Sequence, residues 1–141
     1  MPGKKKGGRG AQKRVVKVRM ADGASYEGQV DRNRVPNGEG VLTIPDGARC
    51  EGTFVAGKAE GHGVMTTRDG NRYDGQFVAD KKEGHGVYVF ADGERYDGQF
   101  VADKREGHAV YVFINGNRHE GQFVDDKLDG LGTFTFGDDN A

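Results

Sequence analysis

The sequence predicts an all-β fold: an elongated, single-layer antiparallel sheet of tandem β-hairpins, about eleven strands, behind a disordered basic N-terminal arm. Three observations carry this prediction. Related segments (YEGQV, CEGTF, YDGQF, YDGQF and HEGQF) begin at Tyr26, Cys50, Tyr73, Tyr96 and His119, 24, 23, 23 and 23 residues apart. The tight-turn dipeptides Asp22-Gly23, Asp46-Gly47, Asp69-Gly70, Asp92-Gly93 and Asn115-Gly116 fall at matching positions. Apolar and polar residues alternate with period two on both sides of each turn.

In chain order, residues 1–14 form the arm and residues 15–141 the repeat domain. That domain has a half repeat over 15–25 and full repeats starting at 26, 50, 73, 96 and 119. The first strand is expected near Val15–Met20 and the last near Leu131–Phe136. Each Asp-Gly dipeptide is expected to form a type I′ turn, which needs positive φ at both central residues. Longer loops, such as Val78 to Glu83, are expected to join one hairpin to the next. Within Tyr73-Asp74-Gly75-Gln76-Phe77, the tyrosine, glycine and phenylalanine share a face, while Asp74 and Gln76 take the other. Gly86, Tyr88 and Phe90 share a face in the partner strand. Glycine weakens a strand, but it lets a neighbouring ring lie flat over the backbone. The inner face should therefore be a field of rings seated over glycines.

Composition narrows the function classes. Glycine supplies 25 of 141 residues, far above the usual share of about 7%, yet with only 3 prolines the chain is neither collagen-like nor a proline-rich linker. No apolar run approaches the roughly 18 residues of a membrane-spanning helix, and no apolar segment of a secretory signal follows the basic N-terminus. The single cysteine, Cys50, excludes an internal disulfide framework and fits a reducing compartment. Net charge is −1, but unevenly distributed. Eight bases and no acids precede Asp22; the remainder holds 13 bases and all 22 acids, a net of −9.

Tyr73-Asp74-Gly75-Gln76-Phe77, Gly84-His85-Gly86 and Gly93 resemble the MORN repeat (membrane occupation and recognition nexus) position by position. The next copy follows at Tyr96, Gly98, Phe100, Gly107 and Gly116, with Ala109 in place of one glycine. Val30 departs from the pattern's phenylalanine, Cys50 and His119 depart from its tyrosine, and Asp139 replaces a turn glycine. The groove should therefore be poorer at the ends than around Tyr73–Phe113. The resemblance implies an elongated twisted sheet and a non-catalytic module. It also implies a cytoplasmic, cytoskeletal or ciliary setting, such as an axoneme, and an aromatic groove that receives a partner helix or extended peptide.

Packing independently leads to a partner-binding face. A sheet with one apolar face must cover it, and no segment shows the apolar stripe of a covering helix. If a third of the inner-face rings stayed open, the patch would be on the order of 10³ Å², beyond the roughly 300–600 Å² usual for a monomer. The expected partner-binding groove is Tyr73, Phe77, Tyr88, Phe90, Tyr96, Phe100, Tyr111 and Phe113. The arm residues Lys4, Lys5, Lys6, Arg9, Lys13 and Arg14 form a second candidate, for an acidic cytoskeletal tail or anionic lipid. On this alternative the chain is a peripheral membrane adaptor, each base near an anionic surface contributing about 1 kcal/mol. Nucleic acid is disfavoured, because GGRG is a single weak echo of RNA-binding segments. Unpaired edge strands also permit end-to-end pairing of two copies.

Catalysis finds no support. Ser25, the only serine, has no histidine in register, and Cys50 fills a tyrosine slot. No phosphate-binding loop or cofactor motif is present. His62, His85 and His108 recur every 23 residues, but two strand spacings place neighbours roughly 10 Å apart, too far to share a metal. They are expected on the outer face. Arg49, Arg72, Arg95 and Arg118 each precede an acid by two residues and read as solvated charge ladders. Lys58, Lys81, Lys104 and Lys127, each two residues before an acid, read as loop charges.

Overall fold

The computed structural model describes residues 14–137. Eleven antiparallel strands follow one another across a single sheet without a crossover. They are β1 (Arg14–Arg19), β2 (Ser25–Val30), β3 (Pro36–Thr43), β4 (Arg49–Val55), β5 (Lys58–Thr66), β6 (Arg72–Val78), β7 (Lys81–Val89), β8 (Arg95–Val101), β9 (Lys104–Val112), β10 (Arg118–Val124) and β11 (Lys127–Thr135). Ten inter-strand spacings of about 4.8 Å give a ribbon about 48 Å long. Among the described residues there is no helix and no second sheet, so the sheet has one layer.

The register explains the glycines. Gly28 stands opposite Gly40, Gly40 opposite Gly52, and Gly52 opposite Gly63. The row continues through Gly75, Gly86, Gly98, Ala109, Gly121 and Gly132. A furrow almost free of Cβ atoms thus crosses the sheet perpendicular to its strands. The rings of Tyr26, Tyr73 and Tyr96 lie in this furrow, with Phe54, Phe77, Phe100 and Phe123 beside them, and all seven are buried. A side chain at Gly75 or Gly86 would collide with the Tyr73 ring, and one at Gly63 would press on Phe77 at 3.2 Å. Each furrow tyrosine donates its hydroxyl to the carbonyl three residues on: Tyr26 to Gln29 at 2.6 Å, Tyr73 to Gln76 at 2.8 Å and Tyr96 to Gln99 at 2.7 Å. The buried polar atom is thereby satisfied.

The turns differ from the sequence expectation, and in a systematic way. At each Asp-Gly or Asn-Gly only the glycine has positive φ (+91° to +101°). The Phe90 carbonyl accepts the Gly93 N–H at 2.8 Å, and the Phe90 N–H reaches the Glu94 carbonyl at 2.8 Å. This is a type I turn followed by a bulge glycine, a three-residue hairpin loop, and not type I′. The type I′ turns lie at the opposite edge. There Ala79 and Asp80 (φ +48° and +74°), Ala102 and Asp103, and Asp125 and Asp126 all take positive φ. The expected loop from Val78 to Glu83 is therefore a two-residue turn. Lys81 already pairs with Val78, and β7 then bulges between Lys82 and Gly86. Gly84, at φ +81°, absorbs that bulge.

The acids near these turns are structural. The Glu83 carboxylate accepts the Ala102 N–H at 2.7 Å, Glu60 that of Ala79 at 2.6 Å, and Glu106 that of Asp125 at 2.6 Å. In the other direction, Asp80, Asp103 and Asp126 accept the backbone N–H groups of Ala59, Lys82 and Arg105 at 2.8–2.9 Å. Each turn is thus held to the repeat before it from both sides. Sequence spacing does not reveal this role, because the acceptor's partner lies 19 or 21 residues away.

Candidate partner-binding face

Burial divides the eight expected groove residues into two rows. Tyr73, Phe77, Tyr96 and Phe100 are at most 3% exposed and form the floor. They are sealed by their own neighbours, which corrects the expectation that the whole set lines an open groove. Edge-to-face contacts link Phe77, Tyr73, Phe100, Tyr96 and Phe123 in sequence, with centroids 5.0–5.2 Å apart. Tyr88, Phe90, Tyr111 and Phe113 form a second row and stay half-buried. They lie beyond the glycines, toward the type I turns, where no furrow receives them.

This upper row is continuous. Tyr88–Phe90, Phe90–Tyr111, Tyr111–Phe113 and Phe113–Phe134 are 4.8, 6.0, 5.0 and 6.1 Å apart between centroids. Phe136 extends it, 5.5 Å from Phe134 and 70% exposed. At the C-terminal end, Phe134 and Phe136 carry the belt onward. At the other end Leu42 and Met65 occupy the equivalent positions.

Charges border the belt. Lys82 lies over the Tyr73 and Tyr88 rings, 5.6 and 5.9 Å from their centroids, and pairs with Asp103 at 3.5 Å. Arg105 lies over Tyr96 and Phe123 at 5.7 and 5.2 Å and pairs with Asp126 at 3.2 Å. Burial pushes the Asp126 carboxyl upward, but the Arg105 backbone N–H and guanidinium outweigh it and hold it below the usual value. On the far border, the Tyr111 hydroxyl donates to Glu94 at 2.6 Å. Burial first, then that carboxylate, raises the Tyr111 phenol to about 12.

The tyrosine slots of the second and fifth repeats are filled differently. His119 sits over Gly121 and Gly132, but its Nε2 is buried without a hydrogen-bond partner. Cys50 is shorter than the tyrosine it replaces and lies in the wall of an open hollow of about 210 Å³. Leu42, Ile44, Phe54, Met65 and Phe77 contribute to its wall. Burial, with the nearby Asp80 carboxylate, raises the Cys50 thiol to about 11, so it stays protonated at neutral pH and makes a poor nucleophile.

The opposite face is ionic. His62, His85 and His108 meet Asp74, Asp97 and Glu120 of the following strand at 2.6, 2.7 and 3.0 Å. Arg72 and Arg95 reach the same aspartates at 3.7 and 3.6 Å. Among the described residues, no group of three or more histidine, cysteine or acidic side chains could hold a metal ion. Of the arm candidates, Lys4, Lys5, Lys6, Arg9 and Lys13 lie outside the described residues, and Arg14 opens β1.

Fold and face together define a single-layer hairpin-repeat scaffold with no catalytic constellation among the described residues. The MORN-repeat family model matches residues 26–49, 50–72, 73–95, 96–118 and 119–141, and the chain belongs to that family. No curated protein matches it. Among solved structures, the TCP domain of SAS-4 from Drosophila melanogaster, in complex with a proline-rich motif of Ana2, is similar at 9% identity. The match covers 85% of this chain and 88% of that one, with a TM-score of 0.34, too low to support a structural argument.

Proposed function

We propose that this protein is a non-enzymatic scaffold that holds a partner helix or extended peptide along the belt formed by Tyr88, Phe90, Tyr111, Phe113 and Phe134. The observation that carries this reading is the unbroken ring-to-ring contact of a half-open row on a sheet with no second layer. Contiguous half-open rings are typical anchors for a partner. The floor row makes the belt rigid, so little side-chain freedom is lost on binding. A cytoskeletal or axonemal assembly is the proposed setting, by family resemblance.

The test is a double variant, F90S with F113S, in the full chain. Its unfolding midpoint should fall modestly while its far-ultraviolet circular dichroism stays that of the parent, since neither ring lies in the furrow. Retention on detergent-extracted axonemes should fall at least tenfold. Retention equal to the parent's would remove the belt from this function.

A further inference from the structure

A hollow of about 210 Å³ occurs at both the second and the fourth repeat, and the two differ in the charges that line it. In the third and fourth repeats, a tyrosine fills the furrow and a cation lies over it: Tyr73 with Lys82, and Tyr96 with Arg105. Each cation also neutralises the aspartate of the next turn, Asp103 or Asp126. In the second repeat both members are missing. Cys50 stands in the tyrosine slot and Ala59 in the cation slot. Asp80 keeps the turn position and accepts the Ala59 N–H at 2.8 Å, but among the described residues no cation stands within 4.0 Å of it. Arg49, the other charged residue at the cavity, pairs instead with Glu51 at 3.9 Å. The hollow at the fourth repeat thus holds Lys82 and Arg105 beside Asp103 and Asp126, whereas the one at the second repeat is apolar with an unpaired Asp80 at its wall.

We propose that this hollow receives a lysine or arginine side chain from the partner segment, its stem against Cys50, Phe54, Met65 and Phe77 and its cation on Asp80. The chain shows the template twice, with the cation supplied internally by Lys82 and Arg105. Here the same interaction is completed from outside. An uncharged apolar anchor would use only the apolar wall and shield the exposed Asp80 carboxylate from water without pairing it, whereas a long basic side chain uses both the wall and the charge. The source of the side chain rests on the belt reading above; the cavity and its charge preference do not.

The probe is n-butylguanidinium, an arginine side-chain analogue, titrated into the isotopically labelled full chain and followed by amide shifts. The neutral isostere n-butylurea serves as its control. Shifts should centre on Cys50, Phe54, Ala59, Phe77 and Asp80, with butylguanidinium binding at least threefold tighter than butylurea. The D80N variant should bring the two probes to equal affinity. The A59K variant, which restores the internal cation, should abolish probe binding and raise the melting temperature. F90S with F113S should bind the probe normally, so loss of the belt reading and loss of this one are separable. Equal affinity for both probes in the parent chain, or shifts centred on Tyr111 and Phe113, would overturn the proposal.

Discussion

The Tyr73 hydroxyl donates to the Gln76 carbonyl at 2.8 Å while the Tyr73 ring lies across Gly75 and Gly86. One side chain therefore fixes its own strand and the next. Tyr73→Phe should cost about 1 kcal/mol, the net worth of the part-buried hydrogen bond it removes. Gly86→Ala should cost about 1–3 kcal/mol, because the new methyl group meets the ring and not open space. Urea unfolding of both variants checks the order.

His119 occupies the same slot in the fifth repeat, but its buried Nε2 has no partner. His119→Tyr restores the repeat pattern and should stabilise the chain by about 1 kcal/mol. An unchanged or lowered urea midpoint would mean that the fifth repeat does not obey the same packing rule.

Buried phenols make the fold sensitive to alkali. Burial raises Tyr73 and Tyr96 to about 12, against about 10 in an unfolded chain. A phenol whose folded value is raised favours the native state fully below pH 10, and that contribution is lost as pH rises toward 12. Absorbance of tyrosinate and far-ultraviolet circular dichroism should therefore change together between pH 10 and 12. Free titration near pH 10 with the sheet intact would contradict this packing.

The inter-repeat staples predict a local effect. Glu83→Ala leaves the Ala102 N–H without its acceptor. Amide exchange should accelerate in the Val101–Lys104 turn and its flanking strands while β2 and β3 stay protected. The expected loss is about 0.5–1 kcal/mol, held low by solvent access to the turn.

Strand number and facing were legible in the sequence because alternation and turn dipeptides recur at one period. Turn type was not. Asp-Gly suits both a type I′ turn and a type I turn with a bulge glycine, and only the pairing of Phe90 with Glu94 distinguishes them. Nor could the open rings be separated from the buried ones. Tyr73 and Tyr88 both share a face with a glycine two residues away, and only the structure shows that the ring preceding its glycine, Tyr73, lies over the furrow. Tyr88 follows Gly86 and points toward the turn edge. Cys50 and His119 stood out as departures from the pattern, but the hollow beside the one and the unpartnered nitrogen of the other depend on neighbours from other strands.

Site-specific photo-cross-linking separates the two faces of the ribbon. A benzoyl-phenylalanine placed at Phe113 should cross-link to one contiguous segment of a partner in native extract. The same group at Val87, on the opposite face, should not reach that segment. Cross-links to it from Val87 with none from Phe113 would contradict docking on the aromatic belt.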